Sequence, residues 1–257
     1  MIINNNISAI NTRNQLFNTN AAATKSMEKL SSGKRINRAA DDAAGLSISE
    51  KMRAQIRGLG QAARNAQDGI SLIQTAEGAL DEVSNMLVRL KELAVQKANG
   101  TYNSEDRSNL SLEMESLGDE IDNIFSNTKF NGSTVLSSSV GIVISDDGVT
   151  SLTIQATPTG GITGLGSGSL VSNIELAIAN VNKARATYGA SQNRLESTVR
   201  NLKTTAENLQ AAESRIRDTD MAEEMSTFTK NNILIQAGTA MLAQANQAPQ
   251  NVLSLLR

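Results

Sequence analysis

Cysteine and histidine are both absent from this sequence of 257 residues. The lack of cysteine excludes disulfides, thiolate metal sites and cysteine nucleophiles. The lack of histidine excludes His-dependent catalytic triads, His-based zinc sites and the commonest kind of pH switch. The sequence therefore predicts no catalytic residue, no metal and no cofactor, and we do not expect an enzyme.

Aromatic residues and proline are scarce, with four Phe, two Tyr, no Trp and two Pro in the whole chain. A compact globule fills its centre with large apolar side chains. Here the apolar residues are mostly Ala, Leu and Ile, and proline interrupts almost no helix. This composition favours thin layers of side chains between helices over one thick core.

Neither charge nor hydropathy indicates nucleic acid or membrane as a partner. The formal net charge is −2, so the chain as a whole is not attracted to nucleic acid or to an anionic membrane. No stretch approaches the roughly 20 apolar residues that cross a bilayer. The N-terminal residues also lack the basic and apolar regions of a secretory signal. We expect a cytosolic protein, unless it leaves the cell by a route that needs no cleaved signal.

Two segments carry an apolar residue at every seventh position, which predicts long helices that pack against others at a shallow angle. The first runs from about residue 46 to Asn99-Gly100, and the second ends near Arg217. Their seams are Met52, Leu59, Ala66, Ile73, Leu80, Leu87 and Ala94, and Ile174, Val181, Tyr188, Leu195, Leu202, Leu209 and Ile216. The predicted fold is mainly α, an elongated antiparallel helical bundle or coiled-coil rod with a small β-hairpin and paired terminal helices.

The segment between the long helices is mixed. A helix capped by Ser104 is expected to end near Asn127, before Phe130-Asn131-Gly132. Two β-type runs, 140–145 and 149–155, flank Asp146-Asp147-Gly148 and predict a hairpin. The glycine-rich tract 160–168 lacks the Lys-Ser/Thr ending of a phosphate-binding loop, so we interpret it as a flexible turn.

The two ends of the chain are nearly uncharged. Residues 1–24 carry only Arg13, and residues 231–256 carry no charged side chain. A solvated helix would present Lys and Glu on its outer face. Both ends keep a seven-residue apolar period, so we expect helices that contact other protein on several sides. The alternative is frayed ends, although frayed tails tend to be charged and poor in Ile and Leu.

We predict that both ends are disordered in the free chain and become ordered in an assembly. Ordering a residue costs on the order of 1–2 kcal/mol of backbone entropy, and one narrow apolar stripe would not offset that cost. The candidate interface residues are Ile3, Ile7, Ile10, Leu16, Phe17, Met221, Phe228, Ile235, Leu242, Leu253 and Leu256.

Asp41 and Asp42 are adjacent carboxylates that could form a metal pair or an acid–base dyad. Arg35 and Arg38 precede them, and further basic residues follow. Ion pairing within a linker is therefore the favoured interpretation of these four residues.

Several long motifs are distinctive: Leu30-Ser-Ser-Gly-Lys-Arg-Ile-Asn37, Ala39-Ala-Asp-Asp-Ala-Ala-Gly-Leu46, Glu92-Leu-Ala-Val-Gln96, Tyr188-Gly-Ala-Ser-Gln-Asn-Arg-Leu195 and Ala245-Asn-Gln-Ala-Pro-Gln-Asn-Val-Leu253. Together they closely resemble the signature of the bacterial flagellin family. The resemblance covers most of the chain from both ends inward. It implies a structural filament subunit for motility, in a minimal form without large outer domains.

The resemblance also implies a domain organisation. Residues 1–32 and 221–257 would form the paired helices of the filament's inner tube, joined by a linker at 33–45. Residues 46–132 and 170–220 would form a helical rod domain. Residues 133–169 would form the hairpin and a glycine-rich variable module.

The implied partners are other copies of the subunit, a flagellar export chaperone, and the cap and hook-junction proteins. The chain would leave the cell through the flagellum's own channel without a cleaved signal peptide, and its location would be extracellular. A hook–filament junction protein, which shares the end helices, is the alternative. A secreted host-binding protein is a further one, although it would not need two uncharged ends.

Some members of this family are ligands of a vertebrate Toll-like receptor. The receptor-contacting motif resembles residues 89–96 here, with Glu113 on the neighbouring helix. By that match Arg89, Leu93 and Glu113 would carry the contact. Subunit packing is the alternative role for the same residues.

Overall fold

Five helices account for most of the structure, which is a computed structural model describing residues 6–157 and 161–255, with side chains up to residue 247. The helices are α1 (Ile7–Ser32), α2 (Ala43–Ala98), α3 (Ser104–Asn127), α4 (Val171–Arg217) and α5 (Met221–Leu255). Two small antiparallel sheets pair β1 (Lys129–Phe130) with β2 (Ser133–Thr134), and β3 (Val140–Val143) with β4 (Ser151–Ile154). The predicted mainly α class with a small hairpin is confirmed. None of the described helices is long and apolar enough to cross a membrane.

The chain forms two compact units. One consists of residues 1–53 and 209–257, and the other of residues 54–208. We call them the terminal unit and the central unit.

The ends of the long helices lie close to their predicted positions, with two differences. α2 begins at Ala43, three residues earlier than expected, because the Asp42 carboxylate accepts a hydrogen bond from the Gly45 amide at 2.9 Å. The cap of α3 is Asn103 and not Ser104, since the Asn103 side chain accepts from the Asp106 amide at 2.7 Å. Both are helix N-caps of the type that Asp and Asn favour.

The core of the central unit follows the heptad seams. Leu80, Leu87, Ile174, Val181 and Leu195 are fully buried. Residues of α3, the β3–β4 hairpin and the segment 162–165 complete the same apolar cluster. The Tyr188 hydroxyl is hydrogen-bonded to Thr157 at 2.9 Å, and burial raises the pKa of Tyr188. The core is therefore a thin layer between helices, as the composition predicted.

The structure contains a hairpin that the sequence analysis missed. β1 and β2 are joined at Asn131 and Gly132, whose φ angles are 49° and 84°. Two consecutive residues with positive φ are typical of the type I′ turn, for which Asn-Gly is the preferred pair. The sequence pattern predicts only that a helix ends near Asn127, before these residues. The predicted hairpin at 140–155 is present as β3–β4.

Glycines allow close approaches in the central unit. A Cβ on Gly118 would overlap the backbone carbonyl of Leu165, and one on Gly69 would overlap the side chain of Ile142. α3 can therefore contact the 161–169 segment, and α2 the hairpin, only because these positions lack a side chain.

We predict that Gly118→Ala lowers the free energy of unfolding of the central unit by at least about 1–3 kcal/mol, because backbone cannot move aside as a flexible side chain can. Gly78→Ala is the matched control. Gly78 also lies inside a helix but has open space around it, and Ala there should leave stability unchanged or raise it by up to about 1 kcal/mol. Urea denaturation followed by circular dichroism measures both. Equal stability of the two variants would contradict this account.

Candidate assembly interface

In the terminal unit, α1 and α5 form an antiparallel pair. At one end the Asn6 side-chain amide donates to the Ala245 carbonyl at 2.7 Å. At the other end Lys29 pairs with Glu224 at 3.5 Å. Between these contacts Leu16 lies against Gly238. The helices thus run alongside each other over most of their described length.

The face that α1 and α5 share is narrow and contains few large side chains. The buried residues of α1 are only Thr19, Ala23 and Ser26. On α5, Ile235 and Leu242 share the face of Gly238 and are half-buried. None of the α5 side chains that the structure describes is fully buried. Since burial is the main favourable term in folding, this pair gains little from its own contact.

Large apolar side chains of the pair are exposed instead, most of them away from the contact between the helices. Of sixteen large apolar side chains exposed in the described residues, nine belong to α1 and α5. They are Ile7, Ile10, Phe17, Met27, Met221, Met225, Ile233, Leu234 and Met241. We call this set the outer apolar face. Such a concentration of exposed large apolar side chains on two helices makes them the candidate protein-interaction surface.

The structure divides the residues predicted for the interface. Four of them belong to the outer apolar face: Ile7, Ile10, Phe17 and Met221. Four others are half-buried: Leu16, Phe228, Ile235 and Leu242. Of these, Leu16 lies against Gly238 of α5. Ile3 and Leu256 lie outside the described residues, as does the side chain of Leu253.

Five residues of the outer apolar face were not among the predicted interface residues: Met27, Met225, Ile233, Leu234 and Met241. They lie off the two rows of apolar residues spaced seven apart, which are Ala9, Leu16, Ala23 and Leu30 in α1 and Met221, Phe228, Ile235 and Leu242 in α5. The lack of charge in residues 231–256 could have identified Ile233, Leu234 and Met241. It could not have identified Met27 and Met225, which have charged residues nearby in the sequence.

The linker between α1 and α2 forms its ion pairs with α1. The Asp41 carboxylate pairs with Lys25 at 3.0 Å and accepts the backbone amides of Asn37 and Arg38. The Arg38 amide, the Lys25 ammonium and the Asn37 amide lower the pKa of Asp41 to about 2. Arg38 pairs with Glu28 at 2.8 Å.

Arg35 and Asp42 have other partners. Arg35 donates from its guanidinium to the Ile216 carbonyl at 2.6 Å, and Asp42 caps α2. Asp41 therefore stabilises the linker turn, and Asp42 stabilises the N-terminus of α2. In the part of the chain that the structure describes, no acidic cluster could hold a metal ion.

Backbone hydrogen bonds join this linker to the α4–α5 junction. The Arg35 amide donates to the Arg217 carbonyl at 2.7 Å, and the Thr219 amide donates to the Gly33 carbonyl at 3.1 Å. Gly33 has a φ of 67°, which favours glycine, and ends α1. Arg217 also pairs with Glu50 of α2. Both connections at this end of the helix pair are thus fixed to each other.

In the central unit, Arg89 and Glu113 contact each other on the surface. The Arg89 guanidinium donates to the Glu113 carboxylate at 2.8 and 3.1 Å. Glu113, together with Glu92, raises the pKa of Arg89. Leu93 is only 1% exposed and belongs to the core. The structure therefore brings Arg89 and Glu113 together on the surface but not Leu93.

Family models match both halves of the chain. Residues 3–140 match the bacterial flagellin N-terminal helical region, and residues 171–256 match the bacterial flagellin C-terminal helical region. The chain belongs to the bacterial flagellin family. It is therefore a structural subunit whose copies assemble into the bacterial flagellar filament. It is not an enzyme.

Relatives from several bacteria align over their full length. A flagellin of Halalkalibacterium halodurans is 53% identical, and the flagellar filament 33 kDa core protein of Treponema phagedenis is 48% identical, each over 100% of both chains. A crystal structure of Bacillus cereus flagellin is 34% identical with a TM-score of 0.50, covering 58% of this chain and 94% of that one. These names favour a filament protein over the hook–filament junction alternative.

Proposed function

We propose that the outer apolar face of α1 and α5 is the surface through which copies of this chain contact one another in the filament. The observation that carries the proposal is the concentration of exposed large apolar side chains on these two helices. Their ends also lack the charges that would favour contact with water. In this proposal residues 1–32 and 221–257 form the inner tube, attached through the linker at 33–45.

Assembly would then supply the free energy that orders the two ends. Each ordered residue costs on the order of 1–2 kcal/mol of backbone entropy. The narrow contact between α1 and α5 offsets only part of that cost, because it buries mainly small side chains such as Thr19 and Ser26. Burying Phe17 or Ile233 against a neighbour adds about 1.5–3 kcal/mol for each side chain.

The proposed domain organisation of the remaining residues rests on the family resemblance and on the packing of the central unit. Residues 46–132 and 170–220 would form the helical rod domain, and residues 133–169 the variable module. An export chaperone would cover the outer apolar face before assembly, and the cap and hook-junction proteins would contact it in the filament. Export through the flagellar channel would need no cleaved signal.

The proposal predicts that Ile233→Asp raises the critical concentration for polymerisation at least about tenfold, because an apolar contact is lost and an unpaired carboxylate is buried. Leu112→Asp is the control, since Leu112 of α3 is as exposed as Ile233, at 61% against 60%, but lies in the central unit. Sedimentation after seeding measures polymer, and circular dichroism checks that the free chains stay equally helical. An unchanged critical concentration for Ile233→Asp would refute the proposal.

A second proposed role is binding of a Toll-like receptor through Arg89 and Glu113. The supporting observation is that the two side chains form an exposed charged pair across α2 and α3. Val88 and Val95 are also exposed on α2, about 100–120° around the helix from Arg89 at 3.6 residues per turn, so apolar area is available on the adjoining side of the helix. Leu93 would contribute only by holding α2 in place, because it is buried.

For this role we expect Arg89→Ala and Glu113→Ala each to raise the half-maximal concentration for receptor activation at least about tenfold, as for central interface residues. Reporter cells that express the vertebrate receptor, treated with unpolymerised chain, provide the measurement. Arg64→Ala, which changes another exposed arginine of α2, should have no effect. If all three variants activate equally, the pair serves packing alone.

A further inference from the structure

A groove of about 530 Å³ runs between α1 and α5. The α5 side of the groove is apolar and consists of Leu234, Ala237, Gly238 and Met241. The α1 side contributes Leu16 and six uncharged polar residues: Asn11, Thr12, Asn14, Gln15, Asn18 and Thr19. An occupant that carries a charge would lose its hydration without gaining a charged partner, so the groove suits an uncharged side chain with apolar surface to place against Leu234 and Met241.

The groove exists because the residues beside the contact between Leu16 and Gly238 are small. A Cβ on Gly238 would lie 3.2 Å from Leu16 Cδ1, so the helices approach each other closely at that point. Next to it, Ala237 and Thr19 are too short to fill the space between the helices. The hollow is therefore a consequence of the residues at its sides.

Phe17 is the one exposed aromatic side chain in the part of the chain for which side chains are described, which includes all six aromatics. Its side chain is 74% exposed. At 3.6 residues per turn, it lies about 160° around α1 from Gln15 and Thr19, which line the middle of the groove. Phe17 therefore cannot fill the groove of its own chain.

We propose that Phe17 of one copy occupies the α1–α5 groove of a neighbouring copy. The inference rests on the proposed filament interface and names the contact within it. Phe17 and the middle of the groove lie on opposite sides of α1, so each copy presents the ring and the groove at the same time. A contact between two different surfaces of the same chain is heterologous and extends from copy to copy. It generates an open filament whenever the rotation between copies does not close a ring.

Cross-linking tests the contact directly, because the natural chain has no cysteine. One chain carries Phe17→Cys and a second carries Ala237→Cys, and both are copolymerised with an excess of wild-type chain so that filaments form. A short bismaleimide then joins thiols that lie close together. We expect a product of twice the 27.3 kDa chain mass that contains one chain of each kind. The control replaces Phe17→Cys with Val149→Cys, an exposed position of the central unit.

The yield is expressed per cysteine chain recovered in the filament pellet. A yield for the Phe17→Cys and Ala237→Cys pair that is no higher than the control's would overturn the inference while leaving filament assembly intact. Failure of the wild-type chain to polymerise would instead contradict the proposed function.

A second measurement does not depend on cysteine chemistry. Phe17→Ala removes the ring, and Ala237→Leu fills the groove from within. Each change should raise the critical concentration at least about tenfold, while Val149→Ala should leave it unchanged. Normal polymerisation of both Phe17→Ala and Ala237→Leu would also overturn the inference.

Discussion

The structure depends on a mismatch between the apolar surface of the terminal helices and the surface that one chain can cover. α1 and α5 bury small side chains such as Thr19, Ala23 and Ser26 against each other. They leave Phe17, Met225 and Ile233 exposed. Water does not stabilise such a surface, and the two ends of the chain carry almost no charge. Under the proposed function, copies of the same chain cover this surface in the filament.

The central unit solves the same problem within the chain. Its seams on α2 and α4 are buried, and α3 and the β3–β4 hairpin cover the remaining apolar side chains. Few aromatic residues are needed because the layer between helices is thin. Gly69 lets the β3–β4 hairpin approach α2 closely, and Gly118 lets the backbone at Leu165 approach α3. Polar contacts have a limited role: the Asp41 carboxylate organises the linker turn, and hydrogen bonds from Arg35 and Thr219 fix it to the α4–α5 junction.

The heptad period was enough to predict the long helices and the buried seams, because burial repeats with the helix. It could not separate the two sides of α1 and α5. Phe228 and Ile235 stand on the regular row and are half-buried, whereas Ile233 lies off the row and is exposed. The β1–β2 turn was missed because two-residue strands leave no alternation to detect, although Asn131-Gly132 is a turn signal. The burial of Leu93 depends on the packing around α2, which a matched motif does not show.

The most direct test of the central claim is amide hydrogen exchange in α1 and α5, measured by mass spectrometry on the dilute free chain and on the filament. If copies supply the missing burial, the amides of both helices exchange rapidly in the free chain and become protected in the filament, while the seam of α2 and α4 in the central unit is protected in both states. Equal, strong protection of α1 and α5 in the free chain would contradict the account, because the ends would then be stable without partners.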